Sequence, residues 1–290
     1  MIKDYYELAK PGLVYGNVIP LIGGFAAGAQ AAHAGSFSLI FPPLVAAIIG
    51  LAFVMGSGCV FNNYIDRDID AKMERTKDRA LAAQRISGAS ALLYGVALGI
   101  AGFAALFAWT NFLTAAVAGI GFFFYVVVYS LWFKRRTRYA VLVGAVAGAV
   151  PPVVGYVAMA NRIDAGAWLL FAMLFIWQLP HFFAIAIRRA DDYAAAGVPV
   201  VSIREGLRPM QVKMTILILL YIIVAVLFGL AGYAGFAYLA VVLLFGAVWL
   251  ALGVQGFWVE DALAWSRGMF IMSLIVLTAT FVTMALTAVI

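Results

Sequence analysis

The residues with the clearest chemical potential lie between positions 62 and 70, in the sequence NNYIDRDID. This stretch follows a long apolar run. If the run continues as a helix, Asn62, Asp66 and Asp70 are spaced i, i+4 and i+8 and project from one face. Carboxylates on adjacent turns repel unless a cation lies between them, and hard oxygen ligands suit Mg²⁺. The stretch therefore predicts a catalytic Mg²⁺ site for a phosphate-bearing substrate, whereas Asp68, off this face, is expected only to balance nearby basic residues.

Basic residues that could hold the phosphate follow closely. Arginine can bind phosphate oxygens through two parallel hydrogen bonds, whereas lysine acts as a point charge. Arg75 and Arg79 are the first candidates for this role. Lys134 is a further candidate, together with Tyr129, which lies shortly before it at the end of another apolar run. Neighbouring basic residues such as Arg136 are equally well explained as membrane-surface anchors.

A second acidic pair, Asp191 and Asp192, follows the sixth long apolar run. Adjacent carboxylates cannot share a helix face, so only one of them is expected to point into a common site, as a catalytic residue and metal ligand. Pro180 lies inside the preceding run and should bend its helix next to His181. His181 is predicted to be an axial metal ligand or to transfer a proton, and the alternative is a buried histidine that bonds to a nearby carbonyl group.

The elements that must position these residues are membrane-spanning helices. The 290 residues are 66% hydrophobic and 11% charged, with a mean hydropathy of +1.04, which indicates an all-α, polytopic membrane protein. About nine segments are long and apolar enough to cross a bilayer. They cover roughly 12–32, 38–61, 88–108, 112–133, 139–160, 166–187, 211–231, 236–256 and 268–289. No polar stretch between them is long enough for an independent domain, so residues 1–290 are predicted to form one transmembrane domain.

The distribution of charge predicts the orientation in the membrane. All of the 19 Lys and Arg residues except Arg162 fall in segments that would share one face of the bilayer, which predicts a cytoplasmic N-terminus and a cytoplasmic active site. The same bias and the anionic lipid surface explain the basic excess without a nucleic acid partner. The first residues lack a signal or transit pattern, which favours a bacterial inner membrane. The single cysteine, Cys59, excludes an intrachain disulfide.

Together these motifs resemble the UbiA superfamily of intramembrane prenyltransferases, over nearly the whole chain. Asn62, Asp66 and Asp70 match its Asn-x-x-x-Asp-x-x-x-Asp motif. Four further segments resemble the heme-farnesylating branch rather than the quinone or chlorophyll branches. They are residues 10–12 (KPG), 73–76 (MERT), 151–156 (PPVVGY) and 177–182 (WQLPHF).

The resemblance implies a Mg²⁺-dependent transfer of a farnesyl group from farnesyl diphosphate to a vinyl group of heme b, with addition of water, to give heme O. Heme b is then a substrate, and the diphosphate is held through Mg²⁺ by Asn62, Asp66, Asp70 and Asp192. It also implies a functional link to a heme A synthase or to terminal oxidase assembly. Alternatives are a related prenyltransferase acting on an aromatic acid or quinone precursor, a transporter, and a heme assembly factor.

The chain departs from the family pattern at two places. The second acidic motif of many members is spaced Asp-x-x-x-Asp, but Ala195 and Ala196 stand four positions beyond the aspartates here, so the ligands of a second Mg²⁺ are left open. Ala80 replaces a proline of the segment that follows Arg79, and this should loosen the loop without removing the arginine.

Overall fold

The computed structural model describes residues 1–34, 37–137, 140–190 and 206–288, and this part of the chain contains helices and no strand. Within these ranges a short N-terminal helix precedes nine long ones. In chain order the helices are α1 Ile2–Leu8, α2 Pro11–Ala31, α3 Phe37–Asp70, α4 Gly88–Trp109, α5 Phe112–Phe133, α6 Ala140–Ala160, α7 Ala165–Arg188, α8 Leu207–Tyr233, α9 Phe236–Trp258 and α10 Ala262–Thr287.

Helices α2 to α10 are each long and apolar enough to span a bilayer, as the sequence predicted. Large apolar side chains cover the outer faces of the bundle, including Leu93 and Phe107 on α4 and Leu244 on α9, all of which are exposed. Such surfaces are stable in lipid and unfavourable in water. The protein is therefore a multi-pass membrane protein.

Side-chain caps define where several helices begin. The Asn111 side chain accepts a hydrogen bond from the amide of Thr114 at the start of α5, and Asp164 accepts one from Gly166 at the start of α7. Asp261 caps α10 in the same way. Each cap satisfies backbone N–H groups that have no partner within the helix, typically for about 1 kcal/mol.

Small residues allow α2 and α6 to pack backbone against backbone. A Cβ atom added at Gly155 would lie 2.0 Å from the carbonyl oxygen of Leu21, and one added at Gly24 would lie 2.0 Å from that of Pro152. Close approach through small residues is how helices associate in lipid, where the hydrophobic effect gives no drive. This contact holds α2 against the part of α6 that contains Pro151 and Pro152.

The second half of α5, Phe124–Phe133, is a π-helix. Its wider turn is visible in the hydrogen bond from the Lys134 amide to the carbonyl oxygen of Tyr129, five residues earlier. π-helical turns are rare and occur mainly at functional sites. Here the π-helix shifts the register of the residues that face α3.

Candidate active site

The helix α3 continues to Asp70, so the sequence prediction of a helical acidic motif is confirmed. Asn62, Asp66 and Asp70 are all buried, and the Asn62 Nδ2 group donates a hydrogen bond of 2.8 Å to the Asp66 carboxylate. Asp68 points away from this face and forms an ion pair with Arg135 at 2.6 Å. The three predicted ligands thus share one wall.

Each of the three ligand candidates has a basic side chain at hydrogen-bond distance. Lys134 Nζ contacts the Asp66 carboxylate, and Arg79 donates a 2.7 Å hydrogen bond to Asp70. The third basic residue is Lys10, whose Nζ atom donates a 2.5 Å hydrogen bond to the Oδ1 atom of Asn62. The structure therefore brings together Arg79 and Lys134, as predicted, and adds Lys10.

Lys10 was not predicted as a site residue, although its Lys-Pro-Gly segment was noted. It lies between α1 and α2 in a left-handed conformation, with φ of 50°, and this turn directs its side chain towards α3. The residue is only partly buried, but its ammonium group is withdrawn from water, and this desolvation lowers its pKa to about 8. The signal available in the sequence was a lysine directly before a proline that opens a spanning helix.

The π-helix supplies the opposite wall. Ser130 accepts a 2.9 Å hydrogen bond from Asn62 and donates one to the carbonyl oxygen of Tyr125. The Tyr125 and Tyr129 rings stack with their centroids 5.9 Å apart, and Lys134 Nζ lies 6.0 Å from the Tyr129 centroid. Tyr129 therefore lies beside the cluster, next to Lys134.

The donor set of this cluster fits a magnesium ion. The Oδ1 atom of Asp66 is buried and accepts no hydrogen bond from the described residues, and the guanidinium group of Arg135 lies 3.9 Å from it. A buried carboxylate oxygen without a donor is costly unless a cation or water contacts it. No three His, Cys, Asp or Glu side chains converge within the described ranges. Mg²⁺ commonly uses one or two carboxylates together with substrate phosphates and water, so two carboxylates are sufficient.

Other predicted residues lie elsewhere. Arg75 is exposed and lines a separate cavity of about 360 Å³ with Arg188 and Arg189, instead of contacting the carboxylates. Asp191 and Asp192 fall outside the described residues.

An apolar cavity of about 480 Å³ lies directly beyond the acidic cluster. Along α3 its wall is formed by residues that include Leu51, Met55 and Cys59, which continue in steps of about one turn to Asn62, Asp66 and Asp70. One face of a single helix thus changes from apolar to anionic. This arrangement suits a ligand with a long apolar tail and a phosphorylated head.

His181 lies on the opposite wall of the same cavity. Its ring stacks on Trp177 at 4.9 Å and lies 4.8 Å from Phe270, while its Nδ1 atom is 2.7 Å from the hydroxyl oxygen of Ser273. The predicted proline, Pro180, is buried in α7 immediately before it. The histidine therefore has a partner on one nitrogen and faces open space.

The fold is that of known intramembrane prenyltransferases. A solved structure of digeranylgeranylglyceryl phosphate synthase aligns with a TM-score of 0.78 and 18% identity, over 99% of this chain and 98% of that one. A UbiA homolog from Archaeoglobus fulgidus bound to GPP and Mg²⁺ aligns with a TM-score of 0.67 and 16% identity, over 97% and 99% of the two chains. At these identities the likeness concerns the fold alone.

The sequence places the chain within that class. Residues 18–275 match the model of the UbiA prenyltransferase family. Protoheme IX farnesyltransferase 2 of Pseudomonas aeruginosa is 45% identical over 285 residues, which are 98% of this chain and 94% of that protein. Protoheme IX farnesyltransferase of Serratia proteamaculans is 42% identical over 286 residues, 99% and 95% of the two chains. The chain belongs to the UbiA prenyltransferase family.

Proposed function

We propose that this protein transfers the farnesyl group of farnesyl diphosphate to a vinyl group of heme b, with addition of water, to form heme O. The names of the relatives that align over almost their whole length support this activity. The observation that carries the proposal is the continuous face of α3, where an apolar wall ends at Asn62, Asp66 and Asp70. The apolar part would hold the fifteen-carbon chain, and the polar part would hold the diphosphate.

The polar cluster would hold the diphosphate. Asp66 and Asp70, with Asn62, would bind Mg²⁺, which when bound neutralises charge on the diphosphate and supports its departure. Three basic side chains contact these ligands and make the site positively charged: those of Arg79, Lys134 and Lys10. When a diphosphate enters, these cations can move from the protein's own oxygens to those of the substrate. Asp192, which lies outside the described residues, is proposed to complete the site from the second motif.

Catalysis in such a site is mainly electrostatic. Negative charge develops on the leaving diphosphate as the carbon–oxygen bond breaks, and fixed cations stabilise it more strongly there than in the ground state. The allylic cation that remains is attacked by the electron-rich vinyl group. Water then adds to the resulting carbocation and releases a proton. Apolar walls such as Leu51, Met55 and Phe122 keep other water away from the cation until that step.

We further propose that residues 1–290 form one domain of a bacterial inner membrane and that the acidic cluster faces the cytoplasm. Hydrogen bonds join Lys10 to Asn62 at one end of the bundle, whereas Arg162 bonds to the carbonyl oxygen of Ala31 at the other end. Among the described residues, those basic residues that were predicted to be cytoplasmic belong to the first end. The product would then pass to a heme A synthase or a terminal oxidase.

The test is to incubate detergent-purified protein with heme b, farnesyl diphosphate and Mg²⁺ and to analyse the extracted hemes by chromatography and mass spectrometry. We expect a heme whose mass has increased by one farnesyl group and one water, and no such product with EDTA. Resistance of the buried Cys59 thiol to labelling would show that the preparation is folded. Unchanged heme from such a preparation would contradict the proposal. An aromatic acceptor that is prenylated instead would identify the other branch of the family.

A further inference from the structure

The side of the cavity opposite the acidic cluster has a continuous face of its own, on α7. Trp177, His181 and Ile185 line the apolar cavity, and Ile185 together with Arg188 lines the neighbouring arginine-rich cavity. These positions are spaced by three or four residues and so lie on one side of the helix. Phe270 of α10 borders both cavities. This face of α7 is therefore apolar apart from the imidazole of His181, and it ends at the guanidinium group of Arg188.

The hydrogen bonds around Ser273 determine which nitrogen of His181 carries a proton. The Ser273 hydroxyl donates its only proton to the carbonyl oxygen of Phe270, at 2.6 Å. Its oxygen can then only accept from His181, at 2.7 Å, so the histidine is protonated on Nδ1. The Nε2 atom carries the free lone pair. No described residue donates to it, and the ring lines the cavity.

This arrangement is the one by which proteins prepare a histidine to bind a metal. Metal-binding histidines usually donate their other ring N–H to a protein acceptor, which fixes both the tautomer and the ring plane. Here Ser273 is that acceptor, and the rings of Trp177 and Phe270 restrain the imidazole. The Trp177 indole also donates a 2.8 Å hydrogen bond to the Ser273 carbonyl oxygen, which links α7 to α10 at this point.

Arg188 lies at a suitable distance along the same face. It is seven residues beyond His181, so the two side chains are about 10 Å apart along the helix axis. The Arg188 guanidinium lies 5.4 Å from the centre of the Phe270 ring. A planar macrocycle held flat against α7 would thus have its centre near the imidazole and its edge near a cation that can bind a carboxylate.

We propose that this face of α7 is the heme-binding wall: His181 Nε2 coordinates the iron of heme b, Ser273 fixes the tautomer, and Arg188 binds a propionate carboxylate at the mouth. The inference rests on the proposed function, because it assigns a pose to the acceptor of that reaction. It also gives Arg75, which lines the same cavity as Arg188, a place beside the propionates rather than beside the diphosphate. The farnesyl group and the heme would then face each other from α3 and α7.

The test of the iron ligand is a spectroscopic titration of the full protein with ferric heme b, without farnesyl diphosphate. We expect a histidine-ligated spectrum in the wild type, its loss in His181→Ala, and its return when free imidazole is added to that variant. Ser273→Ala should weaken heme binding about 10-fold to 100-fold, the effect usual for a group that orients a metal ligand. Ser266→Ala, which removes another buried serine of α10, should change nothing.

The test of the carboxylate contact compares heme b with its dimethyl ester. Arg188→Gln should weaken binding of heme b about tenfold, the loss expected for one charge-assisted hydrogen bond, and leave binding of the ester unchanged. Equal weakening of both hemes would overturn the role of Arg188, and an unaltered heme spectrum in His181→Ala would overturn the role of His181. If wild type converts heme b while either result is found, the pose is wrong and the proposed function stands. If wild type neither binds nor converts heme b, the proposed function itself fails.

Discussion

Removing Lys134 should destabilise the end of α3 that carries Asp66, so that this end of the helix unfolds locally more often. Its Nζ atom is the only cation in contact with the Asp66 Oδ2 atom among the described residues, and Asp66 is fully buried. The substitution Lys134→Gln would leave a buried carboxylate whose remaining hydrogen bond comes from Asn62. Breaking a buried ion pair from one side costs about 3 to 5 kcal/mol, because the other charge stays uncompensated.

The structure places the expected effect near the lower end of that range. The Lys134 side chain is 22% exposed, so part of its charge is already screened by solvent, and Arg135 remains 3.9 Å from the other oxygen of Asp66. We therefore expect a loss of about 3 kcal/mol, which is a roughly 100-fold increase in the open population. The double substitution Asp66→Asn with Lys134→Gln removes both charges and should recover most of this loss.

Cys59 provides the assay. It is the only cysteine, it is buried, and it lies two turns before Asp66 on the same helix. The rate at which a thiol reagent labels it in detergent should follow the open population when the helix closes faster than the reagent reacts.

The control variant is Lys77→Gln, which removes a lysine from an exposed pair with Glu74 and should leave labelling within about threefold of wild type. Wild-type labelling of Lys134→Gln would refute the view that Lys134 neutralises Asp66. If the double variant is labelled as fast as Lys134→Gln alone, the electrostatic explanation is refuted.

Three further outcomes are expected. Gly155→Ala should destabilise the bundle by about 1 to 3 kcal/mol in the same labelling assay, because the new Cβ atom would collide with the Leu21 carbonyl oxygen. Gly268→Ala should be neutral, because no atom lies within 4 Å of the added Cβ. Lys10 loses its charge as the pH rises through its pKa of about 8, so kcat/KM for farnesyl diphosphate should fall there. Lys10→Arg should move this fall to higher pH. A pH profile unchanged by the substitution would exclude Lys10 from substrate binding. Arg79→Lys keeps the charge but loses the planar fork, so KM for farnesyl diphosphate should rise about tenfold, and an unchanged KM would show that Arg79 serves only Asp70.

Much of the fold followed directly from the sequence, because lipid leaves few choices. The apolar segments had to be helices of spanning length, and the family that their motifs indicated is confirmed. The face shared by Asn62, Asp66 and Asp70 was predictable from their spacing alone, since a helix of any context places such positions on one side. The separation of Asp68 from this face followed by the same rule.

Contacts between distant segments could not be predicted in the same way. The bond between Lys10 and Asn62 depends on a left-handed turn before Pro11 and on how α2 packs against α6. The π-helix of α5 has no clear periodicity signal, and it decides that Ser130 meets Asn62. The pairing of Ser273 with His181 joins residues 92 positions apart, so only the packing of α7 against α10 brings them together.

Heme O formation by Asp66→Asn should be compared with that by Asp68→Asn, because only the first of these residues lies on the proposed catalytic face of α3. The two residues are neighbours on one helix, but the Asp66 side chain is fully buried and the Asp68 side chain is 59% exposed in a pair with Arg135. We predict that Asp66→Asn lowers turnover by at least about 100-fold and that Asp68→Asn keeps turnover near that of wild type. Cys59 should stay protected in Asp66→Asn, because the lysine left without its partner is 22% exposed and can be solvated. Near-normal heme O formation by Asp66→Asn, or an equal loss in both variants, would contradict the assignment of this face of α3 as the site of chemistry.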